Sequence, residues 1–499
     1  MNLFQNFITD RYEEWLSAVT AVKVDRLLGM KAEDVVRYIT CDRDEIAARQ
    51  HILKDCMTHR EVVDTFRQIL DNIKAINGIF AKSNIYSESL EKTFYEVRIF
   101  QVYIDSIELL NKLYWEKHEA LQSERLKVFL RQYHTIRESD EYGEICRYVR
   151  ERIKGLENIK SVTVGINLNL ALEPKEMGIV SINDQSFTCP SLFQKFFTGG
   201  ESNRHMIASL VKFESDNNLL ERSLYLTVNN ILIKSLKRSN VAVSQWLRKN
   251  CEAMLAAFED IGFICGCVGF LKFLEDKKAT YCFPKWDETT EIKQAYDPSL
   301  LRKMAFDGVI CNDSVWALDG THMYVLTGAN SGGKSVFVTT VGVCQILFQL
   351  GTAVPASEAS MRTVGCVHTH FSASMEMKEG ESRFTNECIK MREILGKLVE
   401  GDMLLMDETF SATSSSEGAA VAYQVLKHIK RSRCMCLYST HIHELDHYLE
   451  KLNDGKSTVA PMHVECVNGK RTFRIVYGSP DESSYAYEIA KKYGLAFEE

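Results

Sequence analysis

The sequence predicts a multidomain chain of the α plus α/β kind: long helices, a small β element set among them, and an α/β domain at the C-terminal end. Three observations predict it. None of the seven prolines precedes Pro174. The stretch SVTVGINLNLAL at 161–172 alternates apolar and polar residues and is rich in β-branched side chains. HMYVLTGANSGGKSVFV at 322–338 has the form of a strand, a glycine-rich loop and a helix.

A chain of 499 residues is too long for one ordinary core, so two to four domains are expected. Residues 1–155 read as a helical region. They hold only Gly29, Gly78, Gly143 and Gly155, and a chain so free of helix breakers forms long helices. From Ile46 onward, apolar residues (Leu53, Met57, Val62, Val63, Phe66, Ile69, Leu70, Ile73) recur mostly at three- and four-residue steps. Residues 156–205 read as a small β insertion, SVTVGINLNLAL followed after Pro174 by GIVSIND. Helical periodicity resumes over 206–300, and Pro284 and Pro298 bracket an acidic connector into a last domain over 301–499.

Composition excludes several classes. With 45% hydrophobic and 25% charged residues the chain is globular and not disordered. Its fifteen cysteines are scattered, and the close pairs Cys265/Cys267 and Cys434/Cys436 are C-x-C within apolar runs, which reads as reduced thiols in a cytoplasmic protein. MNLFQNFITDRYEEW carries acids where a signal peptide needs a basic and then an apolar run. Ser335–Ser357 has no charge, but Gln345, Gln349 and Pro355 suit a helix buried in protein better than one in lipid, so no membrane partner is expected. A net charge of −7 argues against an indiscriminately basic nucleic-acid binder. The run Lys234, Lys237, Arg238, Arg248 and Lys249 is explained as well by a solvated helix face as by phosphate contacts.

The chemistry concentrates in the last 200 residues. Gly328-Ala-Asn-Ser-Gly-Gly333-Lys334-Ser335 satisfies G-x-x-x-x-G-K-S between the strand YVLT and an apolar helix. In such a loop glycines let main-chain N–H groups converge on a phosphate at the positive end of the helix. Lys334 then meets the β- and γ-phosphates of ATP, and Ser335 offers a hydroxyl to Mg²⁺. The apolar run Asp402-Met-Leu-Leu-Met406 ends in Asp407-Glu408, suited to hold the metal through water and to deprotonate an attacking water. CMCLYST at 434–440 reads as another strand with His441 at its carboxyl end, where ligands bind in parallel sheets, so His441 is expected to contact the γ-phosphate. His443-Glu-Leu-Asp-His447 fits the zinc-protease pattern H-E-x-x-H. A strand feeds into it where a long helix is needed, and no zinc is expected.

Together these residues resemble the MutS family of DNA mismatch-repair ATPases. The resemblance rests on Asn312-Asp313, TGANSGGKS, GTAVPA (351–356), GESRFTNECIKMREIL (380–395), MDETFSATSSSEG (406–418), STHIHEL (439–445) and SSYAYEIAKKYGL (483–495). The stretch IAARQHILKDCMTHREVVDTFRQIL looks like the start of the family's core and lever region, and the β element at 161–184 stands where the family inserts a DNA clamp. The resemblance implies a core and lever region interrupted by a clamp-like β insertion, then a P-loop (ABC-like) NTPase domain. It assigns phosphate contacts to Gly328, Asn330, Gly332, Gly333, Lys334 and Ser335, metal binding to Ser335 and Asp407, the catalytic base to Glu408 and the γ-phosphate contact to His441. Ser382 corresponds to the serine that completes the partner subunit's site in a dimer. It precedes a helix with an apolar face (Phe384, Cys388, Met391, Leu395, Leu398), and a plain helix N-cap is the alternative.

The chain departs from the family pattern at Ala329 and Ser331, where proline and methionine are usual, and at Phe410-Ser411-Ala412, which replaces a glycine-rich turn. No mismatch-reading domain is expected before the helical region. Phe94-Tyr95-Glu96 matches its Phe-x-Glu wedge only as a tripeptide inside a helical run. The expectation is therefore a homodimeric Mg²⁺-dependent ATPase that grips mismatched, branched or distorted DNA in repair or recombination. The alternative is the same ATPase acting on structured RNA, a ribosome or a protein partner.

Overall fold

The structure is a computed structural model and describes residues 3–4, 10–83, 90–157, 160–171, 174–186, 241–317, 320–328, 332–372, 382–453, 458–467 and 470–479. Chain contacts divide it into two units, one of residues 64–259 and one joining 2–63 to 260–499. The sequence reading runs one helical region from residue 1 to 155, with no boundary near 63.

In the first unit, helices α6 (Leu90–Lys117), α7 (Glu124–Arg137) and α8 (Asp140–Glu157) pack on one another, after α5 (Arg60–Ser83), which crosses the division. The packing follows helical spacing: Tyr103, Ile107, Leu110 and Leu113 of α6 are buried, as are Leu126, Phe129, Leu130 and Tyr133 of α7. Ser123 caps α7, its hydroxyl accepting the Leu126 N–H. Phe94-Tyr95-Glu96 lies within α6. An antiparallel hairpin, β1 (Ser161–Leu168) with β2 (Pro174–Asn183), follows and pairs Ser161 with Asn183, with two register shifts. Helix α9 (Val241–Asp276) leads to the second unit; the basic residues Lys234, Lys237 and Arg238 fall outside the described residues.

The second unit holds two sheets. The four-stranded one has the order β3-β7-β4-β5, from β3 (Lys285–Trp286), β4 (Thr290–Ala295), β5 (Asn312–Trp316) and β7 (Glu358–Met361). The six-stranded sheet adds β6 (Met323–Thr327), β8 (Val367–Phe371), β9 (Met403–Asp407), β10 (Met435–Ser439), β11 (Val459–Val467) and β12 (Lys470–Tyr477) in the order β12-β11-β6-β10-β9-β8. Its strands are parallel except β12, which is antiparallel to β11. Strands β6, β9 and β10 are apolar runs buried almost throughout, as parallel strands covered on both faces must be.

Helix α10 (Lys334–Gln349) explains the uncharged stretch of sequence. It is buried at most positions because it lies between the sheet and the N-terminal helix α1 (Tyr12–Val22). At Gly342 a Cβ would stand 2.7 Å from Leu405 Cδ1 and 2.9 Å from Val22 Cγ1, so only glycine lets helix, sheet and α1 approach this closely. Among the described residues no helix is long and apolar enough to cross a membrane.

The N-terminal residues are thus core material for this unit. Short helices α2 (Val24–Leu28) and α3 (Ala32–Val36) lead to α4 (Arg43–Thr58), whose N-cap Asp42 accepts the N–H groups of Asp44 and Glu45. Arg49 on α4 is buried, paired with Glu45 at 2.9 Å and donating to the Tyr38 carbonyl. Tyr38 stacks on Phe263 of α9 at 4.0 Å. Asp260 joins the same cluster, accepting the Phe4 N–H at 3.1 Å and the Tyr38 hydroxyl at 3.2 Å.

Candidate nucleotide site

Three neighbouring strands of the six-stranded sheet, β6, β10 and β9, deliver their carboxyl ends to one place, and helix α10 begins there. Gly328 follows β6 with φ +134°, and a Cβ there would stand 3.2 Å from Val464, so this exit from the strand requires glycine. Residues 329–331 lie outside the described residues, Asn330 with them. The chain re-enters at Gly332 and Gly333; Gly333 takes the left-handed conformation (φ +90°) before Lys334 opens α10. The Lys334 ammonium reaches back to donate to the Gly328 carbonyl at 2.6 Å, closing the segment between strand and helix.

Lys334 is 4% exposed. Burial lowers its pKa, while the carboxylates of Glu408 and Asp407 act in the opposite direction. The acidic pair is therefore within electrostatic reach of the lysine. Asp407 ends β9 and its Oδ1 accepts the hydroxyl of Ser439, the residue paired with it on β10, at 2.7 Å. Glu408 turns away from the strand at φ +51°, its N–H donating to the Ser439 carbonyl at 2.9 Å.

A cavity of about 380 Å³ opens here, within the size range of small-ligand sites. Gly332, Gly333, Lys334, Ser335 and Glu408 line one part; Tyr296, Met304, Ile310, Asn312 and Phe473 are among the residues that line the rest. Ser335 is exposed in it. Phe473 comes from β12, with its ring 3.5 Å from the position of a Cβ on Gly333. Asn312 holds that strand in place, its Nδ2 donating to the Phe473 carbonyl at 3.2 Å and its Oδ1 accepting the Ile475 N–H at 2.7 Å.

His441 stands two residues beyond β10. Its Nδ1 is shielded from solvent and has no hydrogen-bond partner among the described residues, an arrangement a bound polar group would satisfy. Ser382 is apart from the cavity lining. It caps helix α11 (Arg383–Lys397), its hydroxyl accepting the Thr385 N–H at 3.1 Å on an exposed surface. The H-E-x-x-H segment does not form one helix: His443–Leu445 is a 3-10 turn, and α13 (Asp446–Asn453) follows it, α12 (Ser415–Arg431) coming earlier in the chain. Glu444 accepts the Ser415 hydroxyl. Ser439 and Phe473 were missed by sequence reasoning, because neither carries a local signal: one is an ordinary strand residue, the other an aromatic in an alternating strand.

Chemically, the site offers a buried ammonium and a helix N-terminus to an anion, with a carboxylate pair suited to a divalent cation across from them. The Gly328 carbonyl occupies the lysine as an anionic oxygen would.

Comparison with known proteins covers both units. Residues 324–497 match the model of MutS domain V, and residues 41–276 match that of the MutS2 N-terminal domain. The chain is 24% identical over 488 residues to the DNA mismatch repair protein MutS of Clostridium tetani, covering 90% of this chain and 53% of that protein. It is 23% identical over 485 residues to the DNA mismatch repair protein MutS of Thermotoga sp., covering 91% of this chain and 58% of that protein. Mouse MutS protein homolog 4 is 29% identical over 221 residues, 43% of this chain and 22% of the homolog. The chain thus spans between 22% and 58% of the length of these relatives.

Proposed function

We propose that this chain, which belongs to the MutS family, is a DNA mismatch-repair-type ATPase that hydrolyses ATP to ADP and phosphate with Mg²⁺ at the cavity beside Lys334. The observation that carries the reading is the juxtaposition of Lys334, folded over Gly328 at 2.6 Å, with the electrostatic reach of Asp407 and Glu408 on a nearby strand end. The residues present fit the ligand. Gly328, Asn330, Gly332, Gly333 and Lys334 would cradle its phosphates, Ser335 and Asp407 would hold the metal, and Ile310 and Phe473 supply apolar surface for the base. When bound, Mg²⁺ neutralises phosphate charge and orients the transferring group.

The chain's own groups then have separable tasks. Ser439 fixes the Asp407 carboxylate, Glu408 takes the proton of the attacking water, and the unpartnered Nδ1 side of His441 leaves its ring ready to bond the terminal phosphate. In a homodimer Ser382, displayed at a helix N-terminus outside its own cavity, would complete the partner's site. ATP binding would close the two sites and swing the helices of the 64–259 unit, changing the grip on mismatched, branched or distorted DNA through the β1–β2 clamp.

Two variants test the ATPase. Lys334→Ala is expected to weaken MgATP binding by at least about tenfold to a hundredfold, since a charge-assisted contact is removed. Glu408→Gln should bind MgATP normally and turn it over roughly a hundredfold slower or worse. Unchanged turnover in Glu408→Gln removes it from the catalytic role. For the client, binding to mismatched, forked and linear DNA with and without ATP is the measurement. Retention of structured RNA with no DNA preference would replace the DNA reading.

A further inference from the structure

The turn that carries Glu408 is held in an unfavourable conformation by a buried polar network that the roles above do not use. Glu408 and Phe410 both have positive φ, +51° and +63°, in the left-handed region that side chains with a Cβ resist. Such strain persists only where surrounding contacts over-determine it. Here the contacts are visible. Glu387, one turn into α11, is fully buried, and its Oε2 accepts the Phe410 N–H at 2.9 Å. Its other oxygen makes no hydrogen bond among the described residues and lies 3.4 Å from the half-exposed Arg383 guanidinium.

Thr409 is fixed from the opposite side. His370 of β8 is fully buried, with Nδ1 2.9 Å from the Thr409 hydroxyl and Nε2 3.2 Å from the Glu387 carbonyl. A carbonyl can only accept, so Nε2 carries the proton and Nδ1 receives the threonine O–H. Burial holds the imidazole pKa down to about 4, which keeps this neutral tautomer through the physiological range. Tyr438 of β10 completes the enclosure by donating its hydroxyl to the Thr409 carbonyl at 2.6 Å. The Phe410 ring, 1% exposed, sits 6.3 Å from the ring of Phe384 on α11.

We propose that Glu387 is a positioning residue for Glu408: its buried carboxylate pins the Phe410 amide, keeps Glu408 and Phe410 in the left-handed region and ties their turn to the helix that Ser382 caps. Glu387 is not among the residues that line the cavity, so it acts on Glu408 through the backbone of the turn. A consequence is that a push on the N-terminus of α11 reaches the Glu408 turn within the same subunit, through the Glu387–Phe410 hydrogen bond, the Phe384–Phe410 ring contact and the His370 bridge from the Glu387 carbonyl to Thr409. The proposal rests on the ATPase reading of the cavity and deepens it.

The test compares Glu387→Gln, which keeps an acceptor for the Phe410 N–H, with Glu387→Met, of similar length without one. Both are assayed as the full chain for MgATP binding and steady-state turnover. Glu387→Gln should stay within about twofold of wild type in kcat. Glu387→Met should lose roughly tenfold to a hundredfold in kcat, the scale of a small misplacement of a reacting group, with MgATP affinity unchanged within about twofold. Equal kcat for the two variants overturns the positioning role, and so does a fall in affinity as large as the fall in kcat. If Glu387→Met does not fold, hydrogen exchange at the Phe410 amide decides. Strong protection in wild type and Glu387→Gln supports the bond, and exchange at the open-chain rate overturns it. If wild type hydrolyses no ATP, or Glu408→Gln is as active as wild type, the ATPase reading fails and takes this proposal with it. A normal Glu408 dependence with a fully active Glu387→Met sinks the positioning role alone.

Discussion

Replacing Arg11 by alanine removes a guanidinium that fastens the first helix to the far end of the chain. Arg11 Nη1 donates to Asp402 Oδ1 at 2.7 Å, and Nη2 donates to the Lys397 carbonyl at 2.9 Å and lies 2.9 Å from His368 Nε2. Asp402 is fully buried just before β9. Burial alone would raise its pKa, but hydrogen bonds from His368, Arg11 and the Val399 N–H outweigh it and hold the carboxyl below its usual range. Breaking one side of a buried ion pair costs about 3–5 kcal/mol. Because Asp402 keeps His368 at 3.2 Å and the Val399 N–H at 3.0 Å, the lower end, about 3 kcal/mol, is expected.

That figure is roughly a hundredfold in the equilibrium for opening α1. The measurement is hydrogen exchange of peptides covering Tyr12–Val22, as a ratio of variant to wild type, with peptides of β10 as the internal control. Since the folded-state pKa of Asp402 is depressed, its contribution is present above the unfolded carboxylate value, about 3.9, and is lost as pH falls through the lower folded value. The ratio should therefore be near a hundred at pH 7 and narrow steadily on acidification below about pH 4. A ratio under about three at pH 7, or one that does not change with pH, would refute the anchoring role of the pair.

Ser439→Ala, which deletes the hydroxyl donated to Asp407, is expected to raise the Mg²⁺ concentration for half-maximal turnover about three- to tenfold, measured by metal titration at saturating ATP. Asp260→Asn addresses a carboxyl of opposite behaviour: burial raises its pKa from 3.8 to about 6 despite bonds from Phe4 and Tyr38. Folding therefore loses stability as pH rises from about 4 to about 6, so the asparagine variant should be more stable than wild type by about 2–3 kcal/mol above pH 6, with the gap closing near pH 4 in melting curves.

What the sequence made legible was whatever is encoded locally. G-x-x-x-x-G-K-S is legible because its residue types lie close together in the sequence, and the burial of most of the uncharged 335–357 run follows from its lack of charge. The proline-free N-terminal region is helical in its described residues for an equally local reason. The docking of α1 on the sheet was not legible. Arg11 looks like any surface charge until residues 357 and 391 positions away close around it. On α11 the apolar stripe Phe384, Cys388, Met391, Leu395 and Leu398 gives the helix its right general orientation. The most deeply buried side, however, includes Ile394 and the charged Glu387, since a buried carboxylate is placed by its partner and not by periodicity.

The same distinction explains how an unusual turn can follow an ordinary acidic pair. Where a glycine follows Asp-Glu and one further residue, left-handed backbone is free and the turn needs no support from elsewhere. With Phe410 in that place at φ +63°, the conformation must be maintained by contacts from elsewhere in the fold. Those contacts come from separate elements: Glu387 from α11, His370 from β8 and Tyr438 from β10. Each is conformationally costly to leave unsatisfied, because each is buried and polar. The geometry of this turn therefore depends on three neighbours, one of which is α11, the helix capped by Ser382. On the positioning role proposed for Glu387, a shift of α11 would therefore act directly on the turn that carries Glu408.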